Sequence, residues 1–277
     1  MLNASRRGYY QWRKRKVKEA LKQSSTKELV GTIAEIQQKV NYRYGSPRIH
    51  QSLRKMGHRH GRKRIARLMN EYGLGCRSKR AYKCTTKSKG DVHVAEDLVQ
   101  RNFTANKPNE LWTSDITYIR LQQGWVYLCV ILDVYSRRIV GWQVDERMTQ
   151  GLVLRTLYQA TKRRKHHKDV IFHSDRGSQY KALSVVEFCQ KHGIRRSMGE
   201  SGTCYDNAIT ESFNASLKDE IVFPYVPREV NEVRVWVGGW IEYQYNMFRL
   251  YSSINYCSPM EFENLWWKNH TLTMCAI

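Results

Sequence analysis

The sequence lacks the features of a membrane protein or of a disulfide-stapled protein. No stretch approaches the roughly 20 apolar residues that a membrane-spanning helix needs, and no apolar signal segment stands at the start of the chain. The 7 cysteines are odd in number and contain no Cys-x-x-Cys pair, which argues against a disulfide framework. A zinc site is also disfavoured, because no common finger has the spacing of His58, His60, Cys76 and Cys84. We therefore expect a soluble protein of a reducing cytosol, without a membrane partner.

Acidic residues are scarce in the first third of the chain. Residues 1–90 contain 25 Lys and Arg against 4 Asp and Glu, a net charge of +21, whereas the whole chain carries +22. The remaining 187 residues therefore carry only +1. A local excess of this size favours a polyanionic partner, because neutralising phosphates releases condensed counterions. The alternative is a basic face that serves solubility alone.

Residues 1–75 are predicted to form short helices. Apolar periodicity predicts helices that begin at Thr26 and at Ser46, and a third helix over residues 62–72. The glycine-bounded turn 57–61 separates the last two, as in a helix-turn-helix domain. A small helical bundle with a charged outer face is the alternative. The candidate DNA contacts on the third helix are Arg62, Lys63, Arg64 and Arg67.

The pattern changes twice along the rest of the chain. Residues 76–108 are rich in Lys, Ser and Thr, and we interpret them as a basic linker. From Leu111 onward the apolar pattern is that of strands, the first three of which would form an antiparallel meander within a mixed α/β sheet. The predicted strands are 111–120, 125–132, 139–144, 170–172 and 194–198, and the predicted helices lie near 151–162, 184–192 and 206–222.

Three acidic residues stand where an isolated charge is unfavourable. Asp115 interrupts the first strand, Asp175 follows a buried strand, and Glu211 lies on the last of these helices. A desolvated carboxylate needs compensation, which a divalent cation supplies. Because the carboxyl ends of strands converge at one edge of an α/β sheet, the three side chains are candidate metal ligands.

The helix that carries Glu211 has two distinct faces. Asn207, Glu211 and Lys218 follow one another at steps of four and seven and therefore share a face. Glu211 is thus expected to point at the metal, while Lys218 and Asn207 meet DNA. The opposite, buried stripe consists of Ile209, Phe213, Leu217 and Ile221.

Three segments resemble the catalytic blocks of bacterial insertion-sequence transposases of the DDE group, which are related to retroviral integrases. These segments are residues 112–118 (WTSDITY), 173–180 (HSDRGSQY) and 205–213 (YDNAITESF). Both the 35 residues between Asp175 and Glu211 and the Lys seven positions after the Glu match the family pattern. Residues 44–50 (YGSPRIH) resemble the helix-turn-helix block of the second-frame (OrfB) product of such elements.

The resemblance implies a fold and an activity. It implies a ribonuclease-H-like catalytic core over residues 109–225, a helix-turn-helix-like region before it and a helical extension of the core over 226–277. The activity would be metal-dependent cleavage and strand transfer at element ends, with Asp115, Asp175 and Glu211 holding two Mg²⁺ ions, for which Mn²⁺ can substitute.

Partners and location also follow from the resemblance. Double-stranded DNA would be bound as element ends and as target, by a homo-oligomer. An upstream-frame protein, or a frameshift fusion with it, would be the further partner, and the protein would act in the bacterial cytoplasm at the nucleoid.

Two other functions remain open. One is a nuclease of the same fold that cuts without joining, and another is a non-catalytic DNA-binding regulator built on the basic third of the chain. A recombinase that uses a tyrosine nucleophile is disfavoured, because the metal mechanism needs no covalent protein–DNA intermediate. Its candidate nucleophiles would be Tyr118, Tyr180 and Tyr205.

Overall fold

The chain divides into two units, which comprise residues 1–78 and 79–277. Within the ranges that the structure describes, no helix combines the length and the apolar character needed to cross a membrane. The structure is a computed structural model that describes residues 5–76, 93–164, 167–199, 208–222 and 226–274.

The first unit is helical and contains α1 (Arg6–Lys39), α2 (Ser46–Lys55) and α3 (Arg62–Glu71). Helix α1 is much longer than the segment predicted to begin at Thr26. It begins after Ser5, whose side chain accepts a hydrogen bond from the Gly8 backbone amide. Apolar periodicity missed its first half because residues 11–23 are rich in Lys, Arg, Gln and Ala, which favour a helix without forming an apolar stripe.

A buried glutamine of α1 connects the segment before α2 to the segment after α3. Gln37 Nε2 donates to the backbone oxygens of Tyr44, at 2.8 Å, and Leu74, at 2.7 Å. Gly57, with φ at 89°, follows the end of α2 and begins the turn to α3, as the sequence predicts. The predicted apolar face of α3 is confirmed, and the core residues are Leu29, Ile33, Ile49, Leu53, Ile65, Leu68 and Met69.

The second unit contains a five-stranded mixed sheet in the order β3-β2-β1-β4-β5. The first three strands pair antiparallel as the predicted meander, and β1–β4 and β4–β5 pair in parallel. Strand β1 is therefore central. The strands are β1 (Leu111–Arg120), β2 (Trp125–Asp133), β3 (Ile139–Asp145), β4 (Ile171–Ser174) and β5 (Arg195–Met198).

Helices cover both faces of this sheet. One apolar core lies between the sheet and the helices α4 (Gln150–Arg163), α5 (Ser178–Lys181) and α6 (Leu183–Lys191). A second core, on the other face, includes residues of α7 (Ala208–Leu217) and α8 (Val230–Gly239). Strand β2 contributes to both, which explains its nearly continuous apolar sequence.

The elements that follow α8 are helices of three kinds. After α8 the chain continues in a π-helical segment, Trp240–Phe248, then a short 3₁₀ turn, Ser252–Ile254, and then α9 (Pro259–Met274). Glu263 of α9 is buried and pairs with the buried guanidinium of Arg164, just after α4. This ion pair anchors α9 to the sheet unit.

The described part of the predicted linker is folded onto the sheet. Residues 77–92 lie outside the described residues, but the chain from His93 onward contacts β5: Leu98 N donates to Ser197 Oγ at 2.9 Å. Val99 is buried beside Leu111. Residues 93–108 therefore differ from the linker interpretation, because a few apolar side chains suffice to hold them against the core.

Candidate active site

Asp115 lies in the middle of the central strand. It stands opposite Val130 of β2, and its side chain is half-buried. Its Oδ1 accepts a hydrogen bond from the backbone amide of Ile116, at 2.8 Å, and its Oδ2 accepts one from Asn214 Nδ2, at 2.7 Å. Both carboxylate oxygens are thus oriented by neighbouring donors.

The strand register brings Asp175 beside Asp115. Thr113 of β1 and His173 of β4 are partners in parallel strands, and Asp115 and Asp175 each follow two residues later. Parallel neighbours advance together, so both carboxylates reach the same edge of the sheet. Gly177 N donates to Asp175 Oδ1 at 2.9 Å, and a β-carbon at Gly177 would lie 2.9 Å from that oxygen, so the turn fits tightly around the carboxylate.

The pKa values of both aspartates are raised, and Asp175 contributes to the shift of Asp115. Burial, and next the charge of Asp175, raise the pKa of Asp115 from 3.8 to about 7. The pKa of Asp175 is also raised. The cause is partial desolvation of its carboxyl group, although the residue is exposed. The surroundings of both carboxyls therefore favour the protonated form more than water does.

Helix α7 contacts β1 through two polar pairs. Thr210 Oγ1 and Thr113 Oγ1 are 2.9 Å apart and buried, and Asn214 bonds Asp115. Glu211 lies on the same helix, three residues before Asn214, and is exposed. Partial desolvation raises the pKa of Glu211, and its charge contributes to the raised pKa of Asp115.

The three predicted carboxylates do not form a compact cluster in the structure. Among the described residues, no group of three His, Cys, Asp or Glu side chains is arranged to hold a metal ion. Glu211 acts on Asp115 as the weaker of the two acidic neighbours, after Asp175. Asn207, the other residue predicted on this helix face, lies outside the described residues.

Lys218 is half-buried rather than freely exposed. Helix α7 ends at Leu217, and Lys218 begins a π-helical turn, Lys218–Val222, where the sequence predicts a continuous α-helix. Lys218 Nζ lies 4.4 Å from the centroid of the Tyr118 ring, and its charge lowers the pKa of Asp115 against the larger raising effects. The lysine therefore stands at the rim of the site and has a packing role.

The predicted DNA contacts on α3 differ in environment. Arg62, Lys63 and Arg67 are exposed, and Arg67 forms an ion pair with Glu71 at 3.4 Å. Arg64 is half-buried and donates to Thr26 Oγ1 at 3.3 Å. Arg64 thus contributes to the packing of α3 on α1.

Sequence reasoning missed Asn214 and the role of Tyr180. Asn214 stands at a spacing of three from Glu211, a signal that the helical face analysis could have included. Tyr180 is fully buried with its hydroxyl 2.8 Å from Ser114 Oγ, and burial raises its pKa well above 10. Tyr180 therefore packs against β1 through Ser114 and is not an accessible nucleophile. Tyr205 lies outside the described residues.

Comparison with known families identifies both units. An HTH-like domain model matches residues 24–82, and two models, each described as an integrase core domain, match residues 105–204 and 192–259. The sheet unit is accordingly a ribonuclease-H-like integrase core, preceded by a helix-turn-helix-like domain. These features define a polynucleotidyl transferase of the DDE class.

Relatives with similar sequences narrow the class to a family. Transposase InsF for insertion sequence IS3A of Escherichia coli (strain K12) is 35% identical over 266 residues, which are 95% of this chain and 92% of that protein. The insertion element IS600 uncharacterized 31 kDa protein of Shigella sonnei is 35% identical over 262 residues, 95% and 96% of the two chains. The chain belongs to this family of insertion-sequence transposases.

Comparison with solved structures gives weaker similarities. A simian T-cell lymphotropic virus intasome in complex with PP2A regulatory subunit B56 gamma is 16% identical with a TM-score of 0.48, over 83% of this chain and 74% of that one. The HTLV-2 integrase catalytic core domain in complex with magnesium, in its dimeric form, is 17% identical with a TM-score of 0.44, over 57% and 97%. The family membership rests on the transposase relatives.

Proposed function

We propose that this transposase cleaves and joins DNA at insertion-sequence ends through Asp115, Asp175 and Glu211. The observation that carries the proposal is the hydrogen bond from Asn214 to Asp115. This bond links α7, which bears Glu211, to the strand that bears Asp115. The parallel pairing of β1 with β4 places Asp175 next to that strand. On this proposal, three carboxylates from three separate segments act together on the DNA.

We infer that these carboxylates hold two Mg²⁺ ions, for which Mn²⁺ can substitute. Carboxylate oxygens are hard donors of the kind that Mg²⁺ prefers. Burial and the charge of Asp175 raise the pKa of Asp115, and a bound divalent cation would favour its ionised form. Bound ions would supply activation of water or of a 3′-hydroxyl and stabilisation of the leaving 3′-oxygen.

The protein's own groups orient the carboxylates. Asn214 and the Ile116 amide hold the two oxygens of Asp115, and the Gly177 amide holds one oxygen of Asp175. In the first reaction a water oxygen attacks the phosphorus at the element end, and the 3′-oxygen of that end leaves with a proton. In the second, this 3′-hydroxyl attacks a target phosphodiester and displaces a target 3′-oxygen. Neither reaction forms a bond between protein and DNA.

DNA contacts are proposed on both units. Lys218 stands at the rim of the site, and a phosphate held there would lie beside the carboxylates. The basic first unit would supply most of the non-specific affinity. The proposed contact residues are Lys218, Asn207, Arg62, Lys63, Arg64 and Arg67.

The proposal extends to assembly and location. Each element has two ends, so a homo-oligomer is expected to hold them together on DNA. An upstream-frame protein, or a frameshift fusion with it, is proposed to contribute recognition of the terminal repeats. The protein would then act in the bacterial cytoplasm at the nucleoid, where its substrate lies.

A joining assay distinguishes this function from its rivals. The full chain, with and without the upstream-frame protein, is incubated with labelled element ends, target DNA and Mg²⁺ or Mn²⁺. Joined strands support the proposal, and cut strands without joined ones indicate a nuclease of the same fold. Neither product under any of these conditions, with DNA binding intact, indicates a regulator.

A further inference from the structure

Two exposed aromatic side chains lie beside the turn of the β1–β2 hairpin. The rings of Tyr118 on β1 and Trp125 at the start of β2 meet edge to face, with centroids 5.1 Å apart and planes at 84°. Tyr118 is 45% exposed and Trp125 is 50% exposed. A cross-strand pair of this kind stabilises a hairpin, but that role alone does not account for the exposure of half of each side chain.

A cation connects this pair to the active site. The Nζ atom of Lys218 lies 4.4 Å from the centroid of the Tyr118 ring, within the range of a cation–π interaction. The charge of Lys218 also acts on Asp115. One lysine thus contacts a ring of the aromatic pair, that of Tyr118, and influences the pKa of Asp115.

The distance along β1 suits a neighbouring nucleotide. Tyr118 follows Asp115 by three residues, about 10 Å at the rise of roughly 3.3 Å per residue of a strand. Successive nucleotides of one DNA strand rise by about 3.4 Å, so the aromatic pair stands about three steps from the reacting phosphate. Side chains three residues apart on a strand alternate to opposite faces, so it is Lys218, which contacts the Tyr118 ring and acts on Asp115, that links the two positions.

The combination of aromatic rings and an ammonium group matches the chemistry of an unpaired nucleotide. A base stacks on an aromatic ring, and a phosphate pairs with the lysine. Inside a duplex the base faces are already covered by their neighbours, so only an unpaired base can offer a face to the protein.

We propose that Tyr118 and Trp125 form a stacking site for an unpaired base at a DNA end, with Lys218 on the adjacent phosphate. The inference rests on the proposed function, because it requires DNA at Asp115. It adds a substrate feature that the catalytic residues do not specify, namely that the end is unpaired close to the reacting phosphate.

Binding to two matched probes tests the stacking site. One probe is a blunt duplex, and the other is the same duplex with a short unpaired overhang that contains 2-aminopurine, whose fluorescence falls on stacking. Binding is measured with the full chain in chelator, so no reaction occurs. We expect Trp125→Ala to weaken binding of the overhang probe about tenfold and to abolish the quenching, with binding of the blunt probe unchanged.

Two further variants control for structure and for general charge. Trp125→Phe keeps an aromatic ring and should retain part of the overhang preference, and its melting temperature should match that of the wild type. Tyr158 on α4 is a matched control, because it is also exposed and has Lys162 Nζ 5.2 Å from its ring centroid. Tyr158→Ala should leave both probes bound as before.

Each outcome bears on one hypothesis. Unchanged overhang binding by Trp125→Ala, or an equal loss on both probes, overturns the stacking site. Joining is measured separately in Mg²⁺. Wild-type joining without any overhang preference overturns only the stacking site, whereas overhang preference and quenching without joining overturn only the proposed catalysis.

Discussion

The Asp115 carboxyl is held in surroundings that disfavour its charge. Burial and the neighbouring Asp175 raise its pKa from 3.8 to about 7. Its two hydrogen-bond donors, Asn214 and the Ile116 amide, do not offset this effect. In the free protein, the ionised Asp115 carboxylate therefore lowers the stability of the fold, at a position where catalysis needs a carboxylate.

This electrostatic strain predicts a pH dependence of stability. Because the folded pKa of Asp115 lies above the unfolded value of 3.8, its stabilising contribution is complete below that value and is lost as pH rises through about 7. Asn cannot ionise, so the Asp115→Asn variant does not lose this contribution. Its free energy of unfolding, relative to that of the wild type, should therefore be higher at about pH 8 than at about pH 4, on the order of 2 kcal/mol. Replacing one acceptor oxygen of Asp115 by an amide nitrogen also changes the stability, but this change is the same at both pH values and cancels when they are compared. Urea unfolding in chelator at both pH values measures the gain.

An exposed carboxyl provides the control for that measurement. Asp169 is exposed with φ at 65°, a conformation that Asn also tolerates. Asp169→Asn should show the pH dependence of the wild type. The same pH dependence in Asp115→Asn would mean that Asp115 is not strained.

Lys218 distinguishes a packing role from a role in positioning DNA. As a half-buried cation over Tyr118, its replacement by Ala should cost at most about 1 kcal/mol of stability. As a phosphate contact its loss should displace the DNA end, and a displacement of about 1 Å can lower the rate ~100-fold. Lys218→Ala should therefore keep a near wild-type melting temperature and lose most joining, and Lys218→Arg should restore part. Wild-type joining by Lys218→Ala at physiological salt would remove this contact.

The elements of the sheet unit were largely predictable, and the reasons are physical. Strand β2 is apolar along nearly its whole length because both faces are covered. Asp115 and Asp175 were recognisable because each stands in or directly after a largely buried strand. Helix α1 was half missed because its first turns bury nothing. The π-helical turn at Lys218 was not predictable, since no periodicity marks the change from an α-helix. The contact of Asn214 with Asp115 also depends on how α7 packs on the sheet.

Helix α3 should carry much of the salt dependence of DNA binding. Each lysine or arginine that neutralises a phosphate contributes about 0.9 to the slope of log affinity against log salt. Replacing Arg62, Lys63 and Arg67 together by Gln should flatten the slope accordingly, as measured by fluorescence anisotropy across a salt series. Arg64→Gln should change the slope less, because Arg64 is bonded to Thr26.

A basic residue of the other unit serves as a control for this experiment. Lys168 is exposed, and Lys168→Gln should leave the slope unchanged. An unchanged slope in the triple variant of α3 would place the phosphate contacts elsewhere on the chain.

The contact between β3 and α4 tolerates no side chain at Gly141. A β-carbon there would lie 2.6 Å from the Thr156 backbone oxygen and 3.1 Å from the Ala160 β-carbon. Gly141→Ala should therefore lower the free energy of unfolding by about 1–3 kcal/mol, measured by urea denaturation. Gly239 is the matched control, because it has helical dihedral angles and open space around its position. Gly239→Ala should be neutral or stabilising, and equal stability of the two variants would contradict the packing argument.

At the scale of the whole molecule, charge and chemistry lie on different parts of the chain. Residues 1–90 carry +21 of the total +22, whereas the carboxylates belong to the sheet unit. Affinity for DNA and the reaction on DNA should therefore be separable by mutation. A regulator without catalysis would show the first property alone.

The most direct test of the account measures binding and strand transfer side by side in single carboxylate variants. Asp115→Ala, Asp175→Ala and Glu211→Ala are each compared with the wild type on labelled element ends, in Mg²⁺, Mn²⁺ and Ca²⁺. We expect wild-type joining in Mg²⁺ and Mn²⁺ and none in Ca²⁺, which takes more ligands at longer distances. Each variant should bind DNA nearly as the wild type does and form no joined product. Joined product from any of the three variants, or from the wild type in chelator, would contradict the account.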